Sequence, residues 1–163
     1  MAQKEQVYTA KIKQKGNWKF SDVYTMVFDW LKKNGYSVSE GLYKEVADEG
    51  KELTIEWEAN KKVTDYFKYT ITLDWKVIGM KDSEVEVEGK VKKMNKGELG
   101  VTIKANFVKD YAGDWEGKPI WKFLRGIFEK HVIPSSVEEY AVDLKKEATE
   151  LAEDLKAFLR MDN

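Results

Sequence analysis

Residues 65–78, DYFKYTITLDWKVI, alternate between apolar and polar side chains along their whole length. Period-two alternation is typical of a β-strand that has one face buried and the other in water. This stretch therefore predicts the longest strand of the protein and a sheet with one apolar face. The side chains on that face are Phe67, Tyr69, Ile71, Leu73, Trp75 and Val77.

Strand patterns continue on both sides of this stretch. Turn-forming residues, Asp48-Glu49-Gly50 and Asn95-Lys96-Gly97, separate several of them. Consecutive strands joined by short turns form an antiparallel meander, so we expect a sheet of about six strands. The five further strands are predicted at 7–13, 43–47, 53–60, 84–94 and 99–107.

Helical spacing replaces the strand pattern near the start and in the last third. A first helix is predicted from Phe20 to Leu31, with Ser21 as its N-cap and Asn34-Gly35 at its end. A second is predicted from Pro119 to His131, and a third from Val137 to Phe158. A helix of roughly 25 residues is about 37 Å long, and a ten-residue strand about 33 Å. The last helix can therefore lie across the sheet.

Together these elements predict one α+β domain over residues 1–163. A curved antiparallel sheet, in the order strand, helix, meander, helix, helix, would pack against the long C-terminal helix. This element order resembles the helix-grip architecture of START-like and polyketide-cyclase-like proteins, which implies an apolar ligand held between sheet and helix. The chain departs from that pattern in having one early helix and in the extra helix at 119–131.

A second resemblance is carried by short stretches of sequence. Residues 118–126, KPIWKFLRG, together with Asp110-Tyr111 and the ending Lys156-Ala157-Phe158-Leu159, resemble small uncharacterised archaeal proteins. The resemblance implies an archaeal source and carries no activity with it.

Composition removes several classes of site. The chain has no cysteine, which excludes disulfides, thiol catalysis and thiolate zinc ligands, and its single histidine excludes a three-histidine zinc site. We therefore predict no metal, no cofactor and no catalytic residue. A formal net charge of −1 and the lack of a stacking platform beside the lysines of 11–19 argue against nucleic acid.

The sequence also predicts where the protein works. Its first residues do not have the form of a signal peptide, and no apolar run approaches the roughly 18 residues of a membrane span. We expect a cytoplasmic protein, monomeric or homodimeric, with no membrane span.

The aromatic content, 13% of residues, leads to the functional hypothesis. The inward rows of aromatic side chains are either the wall of a ligand cavity or a close-packed core. Arg125, one of two arginines, faces the anionic head group of a ligand, stacks on Trp121, or pairs with a carboxylate such as Asp110 or Asp114. The candidate cavity residues are Trp57, Tyr69, Trp75, Phe107, Arg125 and Tyr140.

Three functions remain open from the sequence. The leading expectation is a non-enzymatic domain that binds a small hydrophobic or amphipathic ligand between the sheet and the C-terminal helix. The alternative is a structural or protein-interaction module with a solid core that self-associates. The third is a hydrolase-type enzyme that uses carboxylates.

Overall fold

The computed structural model describes residues 3–48, 50–64, 66–109 and 133–161, and these form an open five-stranded antiparallel sheet with two helices. The strand order across the sheet is β1-β5-β4-β3-β2, which makes β1 and β2 the outer strands of the described sheet. The α+β class and the C-terminal helix are confirmed. The elements are β1 (Gln3–Trp18), α1 (Phe20–Lys33), β2 (Ser37–Asp48), β3 (Gly50–Lys62), β4 (Phe67–Val87), β5 (Lys90–Lys109) and α2 (Ile133–Met161). The predicted helix at 119–131 and Arg125 lie outside the described residues.

The prediction of six strands is wrong, because Asn95-Lys96-Gly97 is not a turn. β5 runs straight through this segment, and β4 and β5 are 21 and 20 residues long. Within them Asn95 pairs with Asp82. The chain reverses instead at Glu88-Gly89, where the φ angles are 51° and 78°. Two central residues with positive φ are the mark of the two-residue hairpin turn that matches strand twist.

One face of the sheet carries the core. The alternating residues predicted from 65–78 are buried, and equivalent rows of β3 and β5 continue the same surface. Both helices lie on this face: α1 packs near β2, and α2 packs against β1, β5 and α1. The opposite, outer face is largely polar. From α2, Leu144, Ala148, Leu151 and Leu155 are fully buried, as the helical spacing predicted.

The start of α1 is fixed by a distant residue and not by the predicted cap. Lys19 occupies the N-cap position without a side-chain hydrogen bond, so Ser21 is not the cap. Instead, the backbone N–H of Phe20 donates to Oδ1 of Asn95 on β5 at 2.9 Å. The predicted end at Asn34-Gly35 is confirmed: Gly35 has a φ of 90°, and the N–H of residue 36 donates to the carbonyl of Leu31 at 2.9 Å.

Four glycines cross the sheet in a line, one on each of β1, β5, β4 and β3: Gly16, Gly97, Gly79 and Gly50. We call this line the glycine row. All four have positive φ, and the β4–β5 register shifts between Ile78 and Lys81. Such a shift is a β-bulge, which bends the strand that contains it.

Beyond the glycine row only β4 and β5 continue. The pairing of β3 with β4 ends at Lys51–Met80, and that of β1 with β5 ends at Trp18–Asn95. Residues 80–87 and 90–95 thus form a two-stranded ribbon, which we call the arm.

Candidate functional site

A cleft of about 840 Å³ lies between the arm and the start of α1. We call it the arm cleft. The apolar side chains that line it are Phe20, Met80 and Met94. Charges of both signs surround them. The polar lining residues are Lys19, Ser21, Asp82, Ser83, Glu84, Lys93 and Asn95.

Side-chain hydrogen bonds hold the arm, and the strand at its base, against the rest of the protein. Besides the bond from Phe20 to Asn95, the hydroxyl of Ser83 lies 3.0 Å from Oδ1 of Asn17. The indole N–H of Trp18 donates to the carbonyl of Gly97 at 3.4 Å. These contacts tie the base of the arm to β1 and α1, so the cleft is positioned by tertiary structure.

The arm cleft was not predicted from the sequence. Met94 lies in a segment where the alternation predicted a strand, and Met80 lies in the predicted gap between two strands. Met80 and Met94 become neighbours because β4 pairs with β5 through the bulge. The register of that pairing cannot be read from local composition. Gly79 and Gly97, whose backbones approach each other closely, are the sequence feature that indicates this pairing.

The predicted cavity residues fall into two groups. Trp57 and Trp75 form the first, with ring centroids 5.2 Å apart beneath α1. Tyr24 and Phe20 of that helix close over them, at 4.6 Å from Trp57 and 6.1 Å from Trp75. Trp75 is 1% exposed, so this group is a packed aromatic cluster.

Tyr69, Phe107 and Tyr140 form the second group, where the N-terminal half of α2 meets the sheet. The ring of Phe107 lies 6.1 Å from Tyr69 and 6.4 Å from Tyr140. The hydroxyl of Tyr69 donates to the backbone carbonyl of Tyr140 at 3.0 Å, which fixes helix to sheet. Arg125, the sixth candidate, lies outside the described residues.

A second cleft, of about 520 Å³, opens beside this group. Lys61 of β3 crosses its rim and forms an ion pair with Glu147 of α2 at 2.8 Å. The same ammonium group lies 5.2 Å from the ring centre of Tyr36 and 5.8 Å from that of Tyr69, within cation–π range. Lys61 therefore links the sheet to α2 through its ion pair with Glu147, while its ammonium group also contacts two aromatic rings.

Burial raises the pKa of two tyrosines in this region. For Tyr36 the causes are burial first and then the charge of Glu147; for Tyr69 they are burial and then Asp143. An unfolded tyrosine loses its proton near pH 10, whereas the folded protein holds it. Above that pH the unfolded state binds fewer protons, so stability falls as pH rises.

We expect Tyr36→Phe to weaken this alkaline loss of stability. The Tyr36 hydroxyl makes no hydrogen bond to a described residue, so the variant removes little besides the ionisable group. The slope of unfolding free energy against pH should become shallower by up to about 1.4 kcal/mol per pH unit above about pH 10. Urea unfolding between about pH 8 and pH 11 measures it. Tyr43→Phe, at a side chain 51% exposed, is the control, and equal slopes for both variants would contradict the assignment.

The described residues contain no group of three or more His, Asp or Glu side chains arranged to hold a metal ion. Neither described helix has the length and apolar character needed to cross a membrane.

Comparison with known proteins gives no relative: no family model matches the sequence, and no match is found among curated proteins or solved structures.

Proposed function

We propose that the protein is a non-enzymatic binding domain for a small amphipathic ligand, and that the arm cleft holds this ligand. The observation that carries the proposal is the cleft itself, about 840 Å³ in volume, in which three apolar side chains are surrounded by polar and charged ones. Small-molecule sites are typically concave, roughly 300–1,000 Å³ in volume, and mainly apolar with a few polar groups that fix orientation.

The lining suits a flexible apolar chain or ring. Two of its three apolar side chains are methionines, Met80 and Met94, and the third is Phe20. Methionine adapts its shape to irregular partners because it is unbranched and polarizable. Lys19 and Lys93 line the cleft together with the carboxylates of Asp82 and Glu84. This arrangement fits a ligand whose polar end is either zwitterionic or uncharged.

We include the helix-grip resemblance in this proposal, but we place the ligand in the arm cleft and not between the sheet and the C-terminal helix. The resemblance is supported by the order strand, helix, four strands, helix and by the packing of α2 on the core face. That architecture would place the ligand between sheet and C-terminal helix. Here the helix side chains Leu144, Leu151 and Leu155 are fully buried against that face. The arm cleft, about 840 Å³, lies at the start of α1 and is larger than the cleft of about 520 Å³ beside α2.

Displacement of a fluorescent dye tests the proposal. The probe is 1-anilinonaphthalene-8-sulfonate, competed with decanoate and with dodecylphosphocholine. Ser21→Trp places a large ring in the cleft from an exposed position on α1, and should weaken dye binding at least about tenfold, or about 1.4 kcal/mol. Asp29→Trp, exposed on the same helix two turns away and outside the lining, should leave it unchanged.

Two results would contradict the proposal. The first is equal dye affinity for Ser21→Trp and the unaltered protein. The second is dye that neither amphiphile displaces at about 1 mM, a concentration that reaches even weak sites. Native mass spectrometry of the gently purified protein adds a direct search for a retained ligand.

The exposed outer edge of β2 favours the alternative expected from the sequence, a protein-interaction module. This edge is separate from the arm cleft.

A further inference from the structure

β2 presents an exposed outer edge on which large apolar side chains are interspersed with charged ones, Lys44 and Glu45. It is a terminal strand of the described sheet, and its side chains are exposed from residue 39 to residue 47. Leu42, Tyr43 and Val46 are 40%, 51% and 45% exposed, three of the seven large apolar side chains so exposed in the described part of the chain. A terminal strand also carries unpaired backbone N–H and C=O groups, which are a template for another strand.

The other terminal strand is protected in ways that β2 is not. Along β1, Lys4, Lys11, Lys13 and Lys15 are exposed and α2 packs against the strand, whereas each terminal strand has one register break, near Val7 in β1 and at Gly41 in β2. Lysines, bulges and covering helices are the devices that prevent edge-to-edge pairing. β2 has one lysine in twelve residues. Of the two terminal strands of the described sheet, β2 therefore has fewer of the lysines that prevent pairing.

Acidic side chains lie behind the β2 edge on the outer face. Leu42 is opposite Glu56 and Val46 is opposite Glu52 in the register with β3. Both glutamates are exposed, as is Glu58 on the same face. A strand added to β2 would run about 4.8 Å beyond it and about 10 Å from β3. Lysine or arginine side chains from that strand can lay their stems over Leu42 and Val46 and reach these carboxylates.

The core face of the same edge carries Tyr43 and Ala47, and between them Glu45, which forms an ion pair with Lys51 at 3.5 Å. Tyr43 is opposite the buried Ile55, and Phe28 of α1, 38% exposed, contacts Trp57 on the next strand. Because successive side chains of a strand point to opposite faces, an added strand meets these apolar side chains at alternate positions. The edge thus fits a segment that is basic on one face and apolar on the other.

We infer that β2 binds an extended segment of a partner protein as a sixth strand, and that this segment alternates basic with apolar residues. A second copy of the chain fits less well. The register of β2 is broken at Gly41, which leaves 42–48 regular. Two-fold antiparallel pairing over all of 42–48 places Glu45 directly opposite Glu45 of the second copy. Like charges directly opposite each other are destabilising in a sheet.

A peptide with this alternation tests the inference. The probe is YTAKIKQK, the sequence of residues 8–15, end-capped and labelled, because β1 carries the required pattern. Fluorescence anisotropy should show saturable binding to the intact protein, and amide hydrogen exchange should slow in residues 42–47. Replacing the three lysines of the peptide by glutamates should weaken binding at least about tenfold, and so should raising salt from about 50 to about 500 mM.

A variant of the protein locates the binding. Leu42→Lys combined with Val46→Lys places two lysines on the exposed edge, where lysine prevents pairing with another strand. The double variant should bind the peptide at least about tenfold more weakly. Val91→Lys, at a side chain 66% exposed on the arm, is the matched control and should bind as the unaltered protein does.

Three outcomes would overturn the inference. One is no binding at about 1 mM peptide, and another is equal binding of the lysine and glutamate peptides. The third is sedimentation showing that the protein alone forms a dimer that Val46→Lys dissolves. That result would assign the edge to a second copy.

Discussion

Replacing Gly97 by alanine should lower the free energy of unfolding by about 2–4 kcal/mol, from backbone strain and steric overlap together. Gly97 has a φ of 154°, and a Cβ there would lie 2.9 Å from the carbonyl oxygen of Ile78 and 3.0 Å from that of Gly79. Both oxygens belong to the backbone of the paired strand, so no side-chain rotation relieves the overlap. Urea unfolding followed by circular dichroism measures the loss.

Gly100→Ala is the control on the same strand. Its Cβ would lie 3.6 Å from the carbonyl oxygen of Lys76, an ordinary contact, and Gly100 has no positive φ. Alanine there should be neutral or stabilising by up to about 1 kcal/mol, since it restricts the unfolded chain. Equal effects at both positions would contradict the role given to the glycine row.

The Gly97 substitution also bears on the proposed ligand site. Gly97 lies where the arm joins the rest of the sheet, and its carbonyl accepts the indole N–H of Trp18. A shift of β5 at this point moves the arm relative to α1 and so changes the arm cleft. We therefore expect weaker dye binding in Gly97→Ala, measured where the variant is still folded.

The strands and the C-terminal helix could be predicted because their signals are local. The apolar alternation of Phe67 to Val77 follows directly from having one face against the core, and the structure buries these residues. The spacing of Leu144, Leu151 and Leu155 likewise requires only that one side of a helix be covered. In each case neighbouring residues carry all the information.

The arm could not be predicted because its signals are not local. Asn95-Lys96-Gly97 has the composition of a turn, yet the same residue types serve at a bulge. Which one forms depends on the partner strand, here Ile78 to Lys81. The start of α1 shows the same limit: Ser21 is a good local cap, but the amide of Asn95, 75 residues beyond Phe20, holds the helix start.

The candidate sites divide in the same way. Aromatic residues such as Trp57 and Tyr69 could be predicted to face inward, but not that they form separate groups under α1 and α2. Met80 and Met94 become neighbours only through the β4–β5 pairing. The exposure of β2 depends on its place at the end of the strand order, which no residue of β2 encodes by itself.

Trp75→Ala should destabilise the protein by about 3–5 kcal/mol, the usual loss for a large aromatic side chain in a close-packed core. Trp75 is 1% exposed and contacts Trp57, Tyr24 and Phe20, with ring centroids 5.2, 6.0 and 6.1 Å away. These partners come from both α1 and the sheet. Its removal therefore leaves a cavity where the two layers meet. Urea unfolding at neutral pH gives the change in free energy.

The same variant distinguishes a packed core from a ligand-lined interior. In a packed core, indole at about 1 mM should raise the unfolding midpoint of Trp75→Ala, because it refills a cavity that the unfolded chain lacks. The unaltered protein should gain nothing from indole at this position. Phe28→Ala, at a ring 38% exposed in the same cluster, should lose only about 1 kcal/mol. If Trp75→Ala lost no more than Phe28→Ala, or if indole stabilised the unaltered protein equally, the interior beneath α1 would be hollow and the aromatic residues would line a site.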